Sequence, residues 1–476
     1  MNPRIVAALV LVAGLFMVCA IAYGGGDGDL WWQRQLGETV LRTHALPTTL
    51  GAATLSAPQA HWIPHEWIFA VAWAVASHGD ADMLFRIACA ALALMTIVIE
   101  NARSHAAATR ARMLMLVLVA VALTPSFGLR AQVLGWPLLA GVMLALEGGP
   151  RRAWFALPLT VGWFNLHASA VVVPCVVFVY AVGCGLETRR LRAFAAYLPV
   201  AAACALAACA TPFGAELPRF ALAWSANPAT ALVYEWLPAA PDKILIVAGV
   251  LAIAGLLVVG ELRGARLTWP QRLLAAGLFA AAMLHIRNLG LFAIVAGPWT
   301  ASALSALLPR ERPAAERVWH RDGGLALAAT AAAVLLVVVR ARLPVVPGAV
   351  TPAVAQLAGR PGPLRVACED FSWCSRFAAD RRVRVFLDGR VDAYPDAVFA
   401  DYRRMLSGDA LPVFARWQID AAVVHAHGPL ARALRKAGWT LLRREEPQVY
   451  VRPPRAARRQ WAQFGRLGGI LAGKID

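Results

Sequence analysis

Two aspartates two positions apart, Asp27 and Asp29, follow the glycine run 24–26, which itself ends the apolar stretch 4–23. Carboxylates at that spacing beside a membrane surface can hold a divalent cation such as Mg2+ or Mn2+, or act as an acid/base pair on a lipid-borne substrate. They can equally be the solvated polar end of a helix. Other polar side chains stand at the ends of apolar runs: Trp32, His65 and Glu66, then Arg130, Gln132, Asn165, His167, Glu235, Arg287 and Asn288. A charged group facing lipid costs about 3 kcal/mol, so these residues are expected to turn toward one another or a wet cavity. An arginine pair suits phosphate oxygens on a lipid carrier, because the guanidinium fork binds two oxygens at once. In such a site Asp27 takes a proton from an acceptor hydroxyl, while Asp29 with Glu66 or His65 orients it or ligates a metal. Plainer roles compete: Arg130 snorkelling to headgroups, His167 as an interhelical hydrogen-bond partner, Glu235 with Trp236 as an interfacial anchor.

The elements that must position these residues are membrane helices. The 476 residues are 59% hydrophobic and 16% charged, with a mean hydropathy of +0.58, which excludes an ordinary soluble domain. Residues 4–23 read as a first span, although a cleaved signal peptide has the same signature. The net charge of +18 is no nucleic-acid footprint, because the arginines recur in short clusters between apolar runs, as the positive-inside rule requires. Spanning-length runs occur near 82–100, 112–126, 131–146, 153–165, 168–186, 193–211, 243–260, 272–286, 289–308 and 323–340. The segment 65–79 is apolar enough to cross, but crossing would place the basic cluster at 101–112 outside. Read instead as an interfacial helix anchored by Trp62, Trp67 and Trp73, it puts every cluster inside. The expectation is a mainly α polytopic fold with about eleven spans over 1–340 and a first external loop at 24–80. The N-terminus is then cytoplasmic, and the odd polar residues collect on the outer face.

From 345 to 452 short β-branched runs alternate with helical stretches, which predicts a small extracytoplasmic α/β domain; 453–476 is a basic tail. Six of the eight cysteines lie in apolar runs, whereas Cys368 and Cys374 lie in this polar region and can form a disulfide on an oxidising face. His425 and His427 have no matching ligand set nearby and read as ordinary surface residues.

The order of these pieces resembles membrane-embedded glycosyltransferases of the GT-C class, which includes protein O-mannosyltransferases, oligosaccharyltransferases and aminoarabinose transferases. A bacterial branch of that class has D-x-D-x-x-W-H and then W-x-x-H-E-W; this chain matches with Asp27, Asp29, Trp32, Trp62, His65, Glu66 and Trp67, but carries Gln33 in place of the histidine. Similar pieces follow at Arg130/Gln132, Trp163/Asn165/His167, Thr211–Gly214, Glu235/Trp236 and Arg287/Asn288. The stretch with Asp388, Arg390, Asp392 and Tyr394 is similar to the branch's D-G-R-x-D-x-Y; its Asp388-Gly389-Arg390 turn reads as fixing the outer domain's fold by an internal ion pair, with contact to substrate as the alternative. The resemblance implies an inverting transferase in the bacterial inner membrane. It would move a sugar from a polyprenyl-phosphate donor to a glycan, lipid or protein acceptor outside, with a divalent cation as the one candidate cofactor. The alternative is a non-catalytic component that binds or moves a lipid-linked intermediate of envelope polysaccharide assembly.

Overall fold

The computed structural model describes residues 3–23, 28–77, 81–104, 107–309 and 351–453, the last apart from 359, 361, 379 and 381. Asp27, the run at 323–340 and nearly all of the tail lie outside the described residues. The chain divides into two compact units, with the segment Pro47–Trp62 leaving the first to join the second. That segment lies within the external loop expected at 24–80.

In the first unit the runs at 82–100, 112–126, 168–186, 193–211 and 243–260 become Ala81–Arg103, Thr109–Ser126, Ala168–Thr188, Leu191–Cys209 and Pro241–Leu262. These are the five described helices long and apolar enough to cross a membrane, at 1.5 Å per residue across a ~30 Å core. A bent pair, Ile286–Ala296 with Trp299–Leu307, makes a sixth if counted as one span. The other runs give shorter helices: 131–146 becomes α6 (Ala131–Glu147, 17 residues) and 272–286 becomes Trp269–Leu284 (16 residues). The length of eleven full spans is therefore not reached among the described residues.

The helices of the first loop are set by close packing. The α2 helix (Asp29–Thr43) buries Leu30, Gln33 and Gly37, spaced to share one face, against α3 (Trp67–Ala76). Trp73 Nε1 donates to Leu30 O at 3.0 Å. At ten residues α3 is about 15 Å long, half a hydrocarbon core. A Cβ on Gly37 would stand 2.1 Å from Ala70 O, so glycine is what allows the backbones to meet.

The bent pair is the other device. Its break falls at Gly297 and Pro298, where proline lacks an N–H and the carbonyls before it lose their helical partners. Arg103, at the end of α4 (Ala81–Arg103), supplies the missing donors, to Ile294 O at 2.7 Å and Val295 O at 2.9 Å. Its side chain is fully buried, and its charge is met by Glu100 and Glu147, each at 2.9 Å. Trp299 Nε1 donates to Glu147 at 3.1 Å, tying the far side of the bend to the same network.

The second unit is a five-stranded sheet in the order β2-β1-β3-β5-β4: β1 (Leu364–Cys368), β2 (Val383–Val385), β3 (Ala421–Val424), β4 (Thr440–Arg443) and β5 (Gln448–Val451). Strand β1 is parallel to both neighbours, and β5 antiparallel to β3 and β4. Every residue of β3 is buried, as a central strand covered on both faces requires. Cys368 and Cys374 are joined by a disulfide, with Cα atoms 5.7 Å apart. The inserted segment Pro47–Trp62 extends the β2 edge: Leu55 N donates to Val385 O at 2.7 Å and Val385 N to Ala53 O at 2.9 Å.

The Asp388–Tyr394 motif fastens that insertion. Arg390, 6% exposed, holds Asp388 through Nε and Nη2 and donates to Leu50 O at 2.9 Å and Thr54 Oγ1 at 3.1 Å. Its guanidinium also lies 5.0 Å from the Trp62 ring, and Tyr394 OH accepts from Asp388 N. Asp392, in the turn Val391–Ala393, adds its charge to Arg390.

Two stability outcomes follow. Gly37→Ala should lower the melting temperature in detergent, at about 1–3 kcal/mol. Helix propensity alone predicts a gain of about 1 kcal/mol, so an unchanged or raised melting temperature would refute the packing argument. Arg390→Met leaves Asp388 buried without its cation and should cost about 3–5 kcal/mol. The double variant Asp388→Asn/Arg390→Met should recover part of that loss in the same melt; no recovery would show that the ion pair is not the source.

Candidate functional site

Glu66 stands at the start of α3 and is 8% exposed. A carboxylate buried beside an apolar helix must be met by donors. Gln33, buried on the facing side of α2, donates through Nε2 to Glu66 Oε2. His167, where the helix Ala156–Leu166 ends in extended backbone, places Nε2 3.1 Å from Glu66 Oε1. The tautomer of His167 is fixed by the next turn. Its Nδ1 accepts the backbone N–H of Ser169 at 2.9 Å, so Nε2 carries the proton and donates to Glu66. Ser169 Oγ lies 2.7 Å from the same Nδ1.

His65 is arranged the opposite way. Its Nδ1 is 3.3 Å from Ile63 O, a carbonyl that only accepts, which leaves the Nε2 lone pair 3.9 Å from Glu66 Oε1. An edge contact with His167 and a tilted contact with Phe220 hold the ring. Burial, offset by Glu66 and reinforced by the charges of His167 and Arg287, lowers the His65 pKa to about 4, so it is neutral at pH 7. For Glu66 burial pushes upward but is outweighed by the hydrogen bond and charge of His167, the charge of His65 and the Gln33 amide, which hold it at about 2.

Two lone pairs facing each other at 3.9 Å make a place for a cation or an incoming O–H. One donor atom each from His65, Glu66 and His167 lies within 4.8 Å of the others. The set fits a divalent cation: His65 Nδ1 is backed by the Ile63 carbonyl, and His167 can ligate through Nε2 once its proton moves to Nδ1, where Ser169 Oγ can accept it. Two imidazoles and a carboxylate favour a transition ion such as Mn2+ or Zn2+ over Mg2+. Of the expected carboxylate pair, Asp27 lies outside the described residues, and Asp29 Oδ1 accepts Trp32 Nε1 at 2.8 Å.

A second cluster gathers the arginines. Arg130, immediately before α6, pairs with Glu235, and Arg287 lies 4.3 Å over the Trp236 ring. The chain is locked here by Ala239 N donating to Met283 O at 2.9 Å and Ile286 N to Leu237 O at 3.1 Å, with His285 Nδ1 2.6 Å from Trp236 O. Burial would raise the Glu235 pKa, but the charges of Arg130 and Arg287 and hydrogen bonds from Arg130 and Gln132 lower it. These residues line a cavity of about 570 Å³ whose other walls are Thr124, Ser126 and Tyr234 and the apolar Val121, Phe127, Leu245, Ile246 and Leu289. The charge of Arg287 acts chiefly with Arg130 on Glu235 and only weakly on His65.

Two further residues singled out in the sequence hold backbone: Asn165 donates to Val161 O and Ala210 O, and Asn288 to Ala281 O. Ser169, Thr124, Ser126 and Tyr234 were not picked out; for Ser169 the signal was the small hydroxyl two residues after His167.

No family model matches the sequence, and no curated protein matches it. Solved structures do. The oligosaccharyltransferase of Archaeoglobus fulgidus in complex with an inhibitory peptide and a dolichol-phosphate aligns at TM-score 0.52 and 11% identity, over 87% of this chain and 69% of that one. Its apo form aligns at 0.51 and 10% identity, over 88% and 69%. The form tethered to an acceptor peptide with the NVT sequon aligns at 0.50 and 12%, over 87% and 68%. The chain therefore shares its fold with this archaeal oligosaccharyltransferase, at an identity that speaks for fold alone.

The low His65 pKa has a signed consequence in chelator-treated protein. The unfolded chain binds the His65 proton near pH 6.5 and the folded chain only near 4, so stability is full above 6.5 and falls as pH drops toward 4, by roughly 3 kcal/mol. Glu66, with 4.5 as its ordinary value and about 2 here, extends the loss below 4.5. His65→Gln should flatten the melting temperature between pH 6.5 and 4.5 relative to the parent. Parallel curves would show that His65 is not the titrating group.

Proposed function

We propose that this protein is a membrane glycosyltransferase. It takes a sugar from a polyprenyl-phosphate donor and passes it to an acceptor at the outer face of a bacterial cytoplasmic membrane. The observation that carries this reading is the half-apolar cavity holding Arg130 and Arg287, with the Arg287 charge also felt at His65 beside Glu66. Apolar walls suit the first isoprene units, and the guanidiniums suit the phosphate. The likeness in fold to a protein solved with a dolichol-phosphate is consistent with such a donor.

The chemistry asks for a single displacement. An acceptor oxygen bonds to the anomeric carbon from the face opposite the phosphate, the bond from that carbon to the phosphate oxygen breaks with its electron pair leaving on the phosphate, and configuration inverts. Arg287 and Arg130 stabilise the charge that develops there. Glu66, held at about 2, is too weak a base to take the acceptor proton, and it fixes His167 and Gln33 around the entering oxygen. The neutral His65 is a candidate for that proton when no cation is bound there, and Asp27 and Asp29 stand on the same loop as further candidates. A divalent cation bound by His65, Glu66 and His167 would add Lewis-acid stabilisation.

Binding and turnover separate the roles. In nanodiscs, Arg287→Gln should weaken polyprenyl phosphate binding about tenfold or more. Glu66→Gln should leave that binding intact while abolishing release of polyprenyl phosphate from a panel of polyprenyl-phosphate sugars. Normal release by Glu66→Gln would remove Glu66 from the mechanism. Lipid binding by the parent without release from any donor would favour the carrier reading.

A further inference from the structure

One buried atom beside Glu66 lacks the contact that burial demands. Gln33 is 3% exposed, and among the described residues its Oε1 has no hydrogen-bond partner. A buried carbonyl oxygen without a donor is rare, because water cannot reach it to replace the missing bond. The amide cannot be reversed to relieve it, since a carboxylate only accepts and the nitrogen must therefore be the end that faces Glu66. Nor can α2 slide along α3 toward another donor, because Gly37 meets Ala70 with no room for even a methyl group. The oxygen is held bare.

Its surroundings say what could fill the gap. One donor atom each from His65, Glu66 and His167 lies within 4.8 Å of the others. Gln33 Nε2 engages Glu66 Oε2, while the other carboxylate oxygen, Oε1, is the one 3.1 Å from His167 Nε2. The two amide atoms of Gln33 share one carbon, so whatever meets Oε1 also stands beside the Glu66 carboxylate. A planar amide that donates to one oxygen of a carboxylate can set its own carbonyl oxygen beside the other, and a cation between those two oxygens closes the ring.

We propose that Gln33 Oε1 is a ligand of a divalent cation held with Glu66 and His167, and that this oxygen shifts the site toward Mn2+ relative to Zn2+. The inference rests on the cation reading of that set and deepens it by adding a ligand. Gln33 then does two things at once: its nitrogen orients the carboxylate that binds the ion, and its oxygen binds the ion itself. Imidazoles suit Zn2+, whereas carboxylate and carbonyl oxygens suit Mn2+, so an amide oxygen in place of a further nitrogen moves the balance to the harder ion.

The test uses the metal alone. The full chain in nanodiscs, cleared of metal with a chelator, is titrated with Mn2+ and followed by electron paramagnetic resonance; the binding lost in Glu66→Gln is the binding at this site. Protein carrying glutamine labelled at its side-chain carbonyl carbon is then read by electron–nuclear double resonance. The bound Mn2+ should couple to one labelled carbon at ligand distance. Gln33→Glu, which keeps an oxygen at the same reach, should still bind Mn2+ but lose that coupling, because position 33 no longer carries the label. Gln33→Met should weaken Mn2+ about tenfold or more and Zn2+ less. A loss of affinity would also follow if Gln33 only held Glu66 in place, so the coupling decides. Glu66-dependent Mn2+ binding without a glutamine coupling, or a coupling that survives Gln33→Glu, would overturn this inference and leave the cation set and the functional reading standing. No Glu66-dependent binding would remove the cation as well, and the transferase reading would then rest on polyprenyl phosphate release by the parent.

Discussion

The first unit depends on the burial of one carboxylate. Glu66 sits where water cannot solvate it, so its charge has to be met by protein donors, and the donors come from separate parts of the chain: Gln33 from α2 and His167 from the turn after Ala156–Leu166. Meeting that requirement draws α2, α3 and the His167 turn together. It also decides the chemistry of the imidazoles. His167 is oriented by Ser169 to donate, and His65 is oriented by Ile63 to accept.

A second requirement of the same kind operates at the other end of the broken helix. Breaking a helix inside a membrane frees carbonyls that lipid cannot satisfy. Arg103 supplies the donors and is itself neutralised by Glu100 and Glu147. The helix Leu289–Ala296 is thereby held at its end, and the turn Ile286–Asn288 that opens it presents Arg287 to the cavity. A buried charge cluster at one end of this helix thus helps to fix the arginine at the other.

The second unit applies the principle to a loop. Arg390 uses nearly all its donors, on Asp388, Leu50 and Thr54, so the segment Pro47–Trp62 is fastened to the sheet edge. His65 and Glu66 follow Trp62 by only a few residues along the chain.

Hydropathy and charge were enough to find the membrane class, the five long helices and the α/β character after 345, because each depends on neighbours within one turn or one strand. The types of the site residues were legible too, since an ionisable group at the end of an apolar run has few reasons to be there. The sequence did not reveal that Gln33 takes up the Glu66 carboxylate, that Glu235 occupies Arg130, that Arg103 caps a broken helix rather than only marking the inner face, or that Pro47–Trp62 belongs with the sheet. Those facts depend on which donor meets which lone pair across long separations in the chain. Local composition sets what a residue is able to do, and only the tertiary packing decides which partner is close enough for it to do so.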